Sequence, residues 1–105
     1  MTAELTEAEF SKHLNTKFQC RPDADTNVDL ELDEVKSYSS KHKEHEGMER
    51  FSIFFVGPEA PFLPQTTYAF QHAQMGEFEL FLVPVARREN GFRYEAVFNY
   101  FKKSE

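Results

Sequence analysis

The densest group of metal-type ligands in the chain is Asp23-Ala24-Asp25-Thr26-Asn27-Val28-Asp29-Leu30-Glu31-Leu32-Asp33-Glu34. Asp23, Asp25, Asn27, Asp29 and Glu34 fall at the first, third, fifth, seventh and twelfth positions of a calcium loop, with apolar Leu30 at the eighth. A hard cation needs that oxygen-rich spacing. Two residues oppose it. Val28 stands where the loop's sharp turn requires glycine, and Pro22 stands where a helix should enter. The alternation of Val28, Leu30 and Leu32 with acidic neighbours predicts instead a strand that follows an acidic turn.

The other candidates are weaker. His42 and His45 have ligand-like spacing, but in the polar stretch Ser37–Met48 nothing pre-organises them, and a solvated loop is expected. His72 and Glu77 face each other across a predicted turn without a nucleophile or second acid, so they read as a surface pair. Cys20 shares a face with Phe18 and reads as a small core residue rather than a nucleophile. Pro58, Pro61 and Pro64 have polyproline spacing, yet no basic residue flanks them and Phe62-Leu63 lies between. A rigid loop whose tip tucks onto the end of a barrel is expected. The sequence has no GxGxxG, P-loop, Cys-x-x-Cys or Gly-x-Ser-x-Gly motif. No catalytic set, cofactor or metal is expected.

Composition narrows the class further. A chain of 105 residues is one domain that buries roughly two-thirds of its unfolded surface. The formal charge of -6 and scattered Lys and Arg argue against nucleic acid, whose phosphates need basic stripes. No apolar run approaches the ~20 residues of a membrane span. The opening MTAELTEAEF lacks the basic and apolar regions of a signal peptide. One cysteine rules out an internal disulfide and fits a reducing cytoplasm. Twelve Phe and no Trp point to a core of packed aromatic rings.

The elements that must position any site follow from periodicity. Thr6 and Glu9 form a capping box, with Leu5 and Phe10 as a hydrophobic staple around it. A helix over Glu7–Leu14 is expected, with Phe10 and Leu14 as its apolar stripe. From Thr16 the period changes to two. Strands are expected near 16–21, 27–37, 50–56, 66–72, 77–87 and 92–101, the first stopped by Pro22. They make a mainly β fold, a six-stranded antiparallel barrel or strongly curled sheet with one short N-terminal helix, spanning residues 1–105.

The last two strands flank Asn90-Gly91, which predicts a type I′ turn. The register then pairs Glu89 with Phe92, Val85 with Ala96, Val83 with Phe98, Phe81 with Tyr100 and Pro84 with Val97. Phe81, Val83, Val85, Ala96, Phe98 and Tyr100 become the core face, with Tyr68 of the preceding strand opposite Phe81. The other face is also apolar: Leu80, Leu82, Val97 and Phe101. The helix packing there, a curled sheet or a partner docking there would each account for it, and contiguous exposed apolar patches mark interfaces.

The segments FSIFFVGP, LPQTTYAFQH, GEFELFLVPV and YEAVFNYF, in that order, resemble an uncharacterised family of small bacterial proteins. The family pattern is F-S-x-x-F-x-G-P, L-P-Q-x-x-Y, L-F-L-V-P-V and Y-E-A-V-F-N, and LELDEV at Leu30–Val35 resembles its upstream strand. The resemblance covers most of residues 28–101 and is most specific in the C-terminal half. As a domain of unknown function, the family implies no activity and no site residues. The expected function is a non-enzymatic protein-binding or assembly module, self-associating or part of a phage-tail-like assembly. Its surface would be Leu80, Leu82, Val97 and Phe101, its partner a protein or a second copy. The alternative is a small-ligand binder, with the ligand between the aromatic face and the Pro-rich loop.

Overall fold

Buried and exposed side chains alternate with period two along the strands, as pleated backbone requires. The structure, a computed structural model, describes residues 5–37 and 48–101, giving the backbone alone at 48, 49 and 99–101. Its elements are α1 (Glu7–Ser11), β1 (Lys17–Asp23), β2 (Thr26–Ser37), β3 (Met48–Pro58), β4 (Thr66–His72), β5 (Gly76–Arg88) and β6 (Gly91–Phe101). Antiparallel ladders run in the order β1-β2-β3-β6-β5-β4, and β4 returns to β1 through Gln19↔Gln71, Cys20↔Phe70 and Arg21↔Ala69. The chain is therefore a closed six-stranded barrel with one short helix, as its alternation predicts.

Several boundaries differ from expectation, β3 for one running Met48–Pro58 through Gly57-Pro58 rather than 50–56, and two of the differences have a clear local reason. β1 does not stop at Pro22; the ladder shifts register between Cys20 and Asp23, and a bulge accommodates a residue without an N–H. The helix ends at Ser11 rather than Leu14. Thr6 Oγ1 accepts the Glu9 N–H at 3.1 Å, so the cap forms as expected. Beyond the helix, Lys12 N donates to Glu9 O and His13 N to Phe10 O, tightening the chain, and Asn15 takes a φ of 68°. Asparagine tolerates this left-handed geometry better than most residues. Asn15 N then donates to Leu32 O at 2.7 Å, turning the chain into β1. Leu14 is left exposed, so the expected Phe10–Leu14 stripe does not form, and His13 takes the buried place.

Phe18, Leu30, Leu32, Ile53, Phe55, Phe70, Leu80, Leu82 and Tyr94 fill the interior. Phe10 closes one end, with ring centroids 5.5 Å from Phe98, 6.1 Å from Phe78 and 6.2 Å from Phe18. Burying such a ring is worth about 1.5–3 kcal/mol, and that docking is what holds so short a helix in place. Leu63 closes the other end. Its N–H donates to the Tyr94 hydroxyl at 3.1 Å, and Tyr68 donates to Pro64 O, so two tyrosines hold the Pro-rich loop. The loop tip tucks onto the barrel end, as its composition suggests.

One strand changes neighbours along its length. Gly76–Leu82 of β5 pair with β4, whereas Val83–Arg88 pair with β6. Among the described residues the β5–β6 ladder ends at Val83↔Glu95, while β6 continues against β3 as far as Met48↔Phe101. The lower halves of the last two strands are thus separated by a seam, with the Phe10 ring on its inner side against Phe78 and Phe98.

Candidate functional site

The hairpin that carries the candidate surface has a different register from the expected one. Arg88 pairs with Gly91, so the two-residue turn is Glu89-Asn90, and Pro84 pairs with Tyr94 instead of Val97. Positive φ is confined, among the described residues, to Asn15 and Gly76, which removes the type I′ geometry at Asn90-Gly91. Glycine is required at 91 for another reason. A Cβ there would lie 1.9 Å from the Gly57 carbonyl oxygen, so β3 and β6 approach each other too closely for any side chain.

Between Pro84 and Ala86 a bulge shifts the ladder again. The extra residue exchanges the two faces of β5 relative to β6, because side-chain direction alternates residue by residue. Leu80 and Leu82 point inward and are 3% and 0% exposed, which corrects their assignment to a partner surface. Phe81 and Val85, expected in the core, are 52% and 43% exposed. β4 follows: Tyr68 lies opposite Leu80, and Thr67 opposite Phe81. On β6 the expectation holds for Ala96, which is buried, and for Val97, which is 62% exposed. The side chains of Tyr100 and Phe101 lie outside the described residues.

Phe81 and Val97 therefore flank the seam on the outside of the barrel. The same face of β5 carries exposed Glu79, and the same face of β6 carries Glu95, whose Oε2 accepts from buried Ser52 at 2.6 Å. Further round, β3 solves its own two-sided apolarity. Phe51, Ile53 and Phe55 point in, while Phe54 points out beneath the Arg93 guanidinium, 4.1 Å from its ring centroid. A bulge between Leu32 and Glu34 turns Asp33 and Glu34 towards that cation, with contacts of 3.1 and 2.7 Å. Arg93 covers Phe54 as much by its flat stem as by its charge. An arginine on the strand opposite a doubly apolar one was the signal available in the sequence.

The sequence points to His72, though as one of a surface pair with Glu77, and not to the buried cluster that it joins at the α1 end. His13 and His72 are both buried, with ring centroids 4.6 Å apart, and Phe18 lies 4.2 Å from His72. His72 Nδ1 accepts the N–H groups of Gln74 and Met75 at 3.1 and 3.2 Å, so it carries no proton. Nε2 then bears the hydrogen and donates to Thr16 Oγ1 at 3.0 Å, since that hydroxyl is committed to His13 O at 2.6 Å. Burial, with His13 adding to it, holds the His72 pKa below its ordinary value. Glu9 lies 3.5 Å from His13 Nε2, and Lys12, with which it hydrogen-bonds, does most to lower its carboxyl pKa. Glu77 is not the partner of His72: Gly76 lies opposite His72, and Glu77 lies opposite Gln71. With both nitrogens engaged, His72 staples a turn and has no lone pair to offer as a base.

The remaining candidates resolve simply. Asp23 Oδ1 accepts the Asp25 N–H at 2.9 Å, a local turn contact, while Val28 is buried in β2. Cys20 is buried and its thiol is pushed up to about 12 by desolvation. Among the described residues no three His, Cys, Asp or Glu side chains group to hold a metal; His42 and His45 lie outside them. Leu63 and Tyr94 occupy the place proposed for a small ligand. What lies beside the Pro-rich loop is an open groove of ≈ 410 Å³ lined by Lys17, Asn27, Asp29, Pro58 and Pro61.

The fold defines a small closed β-barrel with Phe81 and Val97 exposed on its outer wall. The chain belongs to the family described as a domain of unknown function, DUF6916, whose model matches residues 5–98. No curated protein and no solved structure matches the chain. Among the described residues no helix is long and apolar enough to cross a membrane.

Proposed function

We propose that the chain is a non-enzymatic protein-binding or assembly module whose partner docks on the outer wall of the β5–β6 hairpin. The observation that carries this is the exposure of Phe81 and Val97 on either side of the seam, in a barrel whose interior is already filled. Exposed apolar groups placed together mark interfaces more often than scattered ones do. The non-enzymatic part is supported by the engagement of both His72 nitrogens and by the buried, protonated thiol of Cys20. The motif resemblance favours a small bacterial protein, and its lone, buried, reduced cysteine suits the cytoplasm. A place in a phage-tail-like assembly is one form such a role takes.

Photo-crosslinking tests the reading. Benzoylphenylalanine placed at position 81 or 97, in cells that make the protein, should yield discrete protein adducts. The same group at Asp29, exposed on β2, should not. Yields at 81 and 97 no higher than at 29 would remove the partner surface.

A further inference from the structure

We infer that the partner is held as an extended strand laid along the β5–β6 seam, and that this segment carries basic as well as apolar residues. The inference rests on the protein-binding reading and specifies its partner. Below Val83↔Glu95, among the described residues, Phe78–Leu82 are laddered to β4 on one side, and Ala96–Phe98 to β3 on one side. Their other edges face the seam, and a strand edge is a template for another extended chain. The Phe10 ring packs behind the seam against Phe78 and Phe98, so an incoming strand meets an apolar floor rather than the barrel interior. Phe81 and Val97 stand at its two sides.

Charge selects the occupant. Glu79 and Glu95 lie on the same outer face as Phe81 and Val97, while Arg50, half-buried on β3, stands one strand beyond the seam. A second copy, docking by two-fold symmetry, would set this acidic strip against itself on chains of formal charge -6. A segment alternating apolar residues with Lys or Arg covers Phe81 and Val97 and meets the two carboxylates as well.

The test uses the full chain and blocked synthetic peptides. A peptide alternating valine and lysine should bind, more weakly as salt rises, and slow amide exchange within 78–82 and 96–98. N-methylation of alternate residues keeps its charge but removes strand pairing, and should weaken binding at least tenfold; a valine–glutamate peptide should not bind. Phe81→Ser and Val97→Ser, both at exposed positions, should each weaken binding severalfold while leaving the chain folded, with only a small fall in melting temperature. Equal binding of the N-methylated peptide, or protection elsewhere, would overturn the strand mode while leaving the crosslinks at 81 and 97 standing. A dimer in sedimentation that Phe81→Ser dissociates would assign the seam to a second copy and overturn the basic partner. Missing crosslinks alongside seam protection would instead count against the protein-partner reading alone.

Discussion

His72 shows how one side chain can couple the fold to pH. Its bare Nδ1 receives two backbone N–H groups and its Nε2–H is given to Thr16, an arrangement that only neutral imidazole can make. In the unfolded chain the ring protonates at its ordinary value, near 6.5; in the fold it protonates at a lower pH. Between the two values the unfolded state holds more protons, so stability is intact above about pH 6.5 and falls as the pH drops. His13 faces the same ring, and its charge adds to the lowering that burial causes. Unfolding free energies from urea titrations should be level above pH 7 and decline towards pH 5, by at most about 1.4 kcal/mol per pH unit for one proton. His72→Gln should flatten that slope; an equal slope in the variant would assign the titration to another group. None of this was legible in the sequence. His13 becomes a buried neighbour because the helix stops early, and Asn15's left-handed turn decides that.

The same lesson returns at the level of elements, where period was readable and parity was not. All six strands, the N-cap and the tucked loop follow from alternation, punctuation and a capping box. Which face of β5 turns inward does not, because both faces are apolar and the pattern fits either choice. The decision lies in the bulge at Val85, one extra residue with no sequence marker beyond the adjacent Pro84. Arg93, by contrast, was a usable clue to why Phe54 tolerates the outside. Gly91 offers a direct check on the observed register. A methyl at 91 would meet backbone, the Gly57 carbonyl, rather than a side chain able to rotate. Gly91→Ala should therefore lower stability at the upper end of the ~1–3 kcal/mol typical of overpacking. Asn90→Ala, with no positive φ to lose, should change it little. Chemical denaturation compares the two; the reverse ranking would restore a type I′ turn.

At the scale of the molecule, the barrel is made of ladders of very unequal length. β3 and β6 pair from Met48↔Phe101 to Pro58↔Gly91, but among the described residues β1 and β4 are joined only at Gln19↔Gln71, Cys20↔Phe70 and Arg21↔Ala69. Regions with few contacts open at lower free energy than the best-packed parts of a structure, and a ladder this short makes few. Cys20 sits inside that short ladder. Its sulfur is thus a built-in clock for the opening of the barrel wall, silent while β1 and β4 hold and reactive once they part. A disulfide reagent should label the native protein slowly, and mild urea should accelerate labelling with a shallower dependence than global unfolding shows. Matching dependences would mean that the wall opens only when the whole barrel does. If the clock does run early, every labelled molecule records one passage through a half-open barrel, with β1 released and the β3–β6 wall still standing.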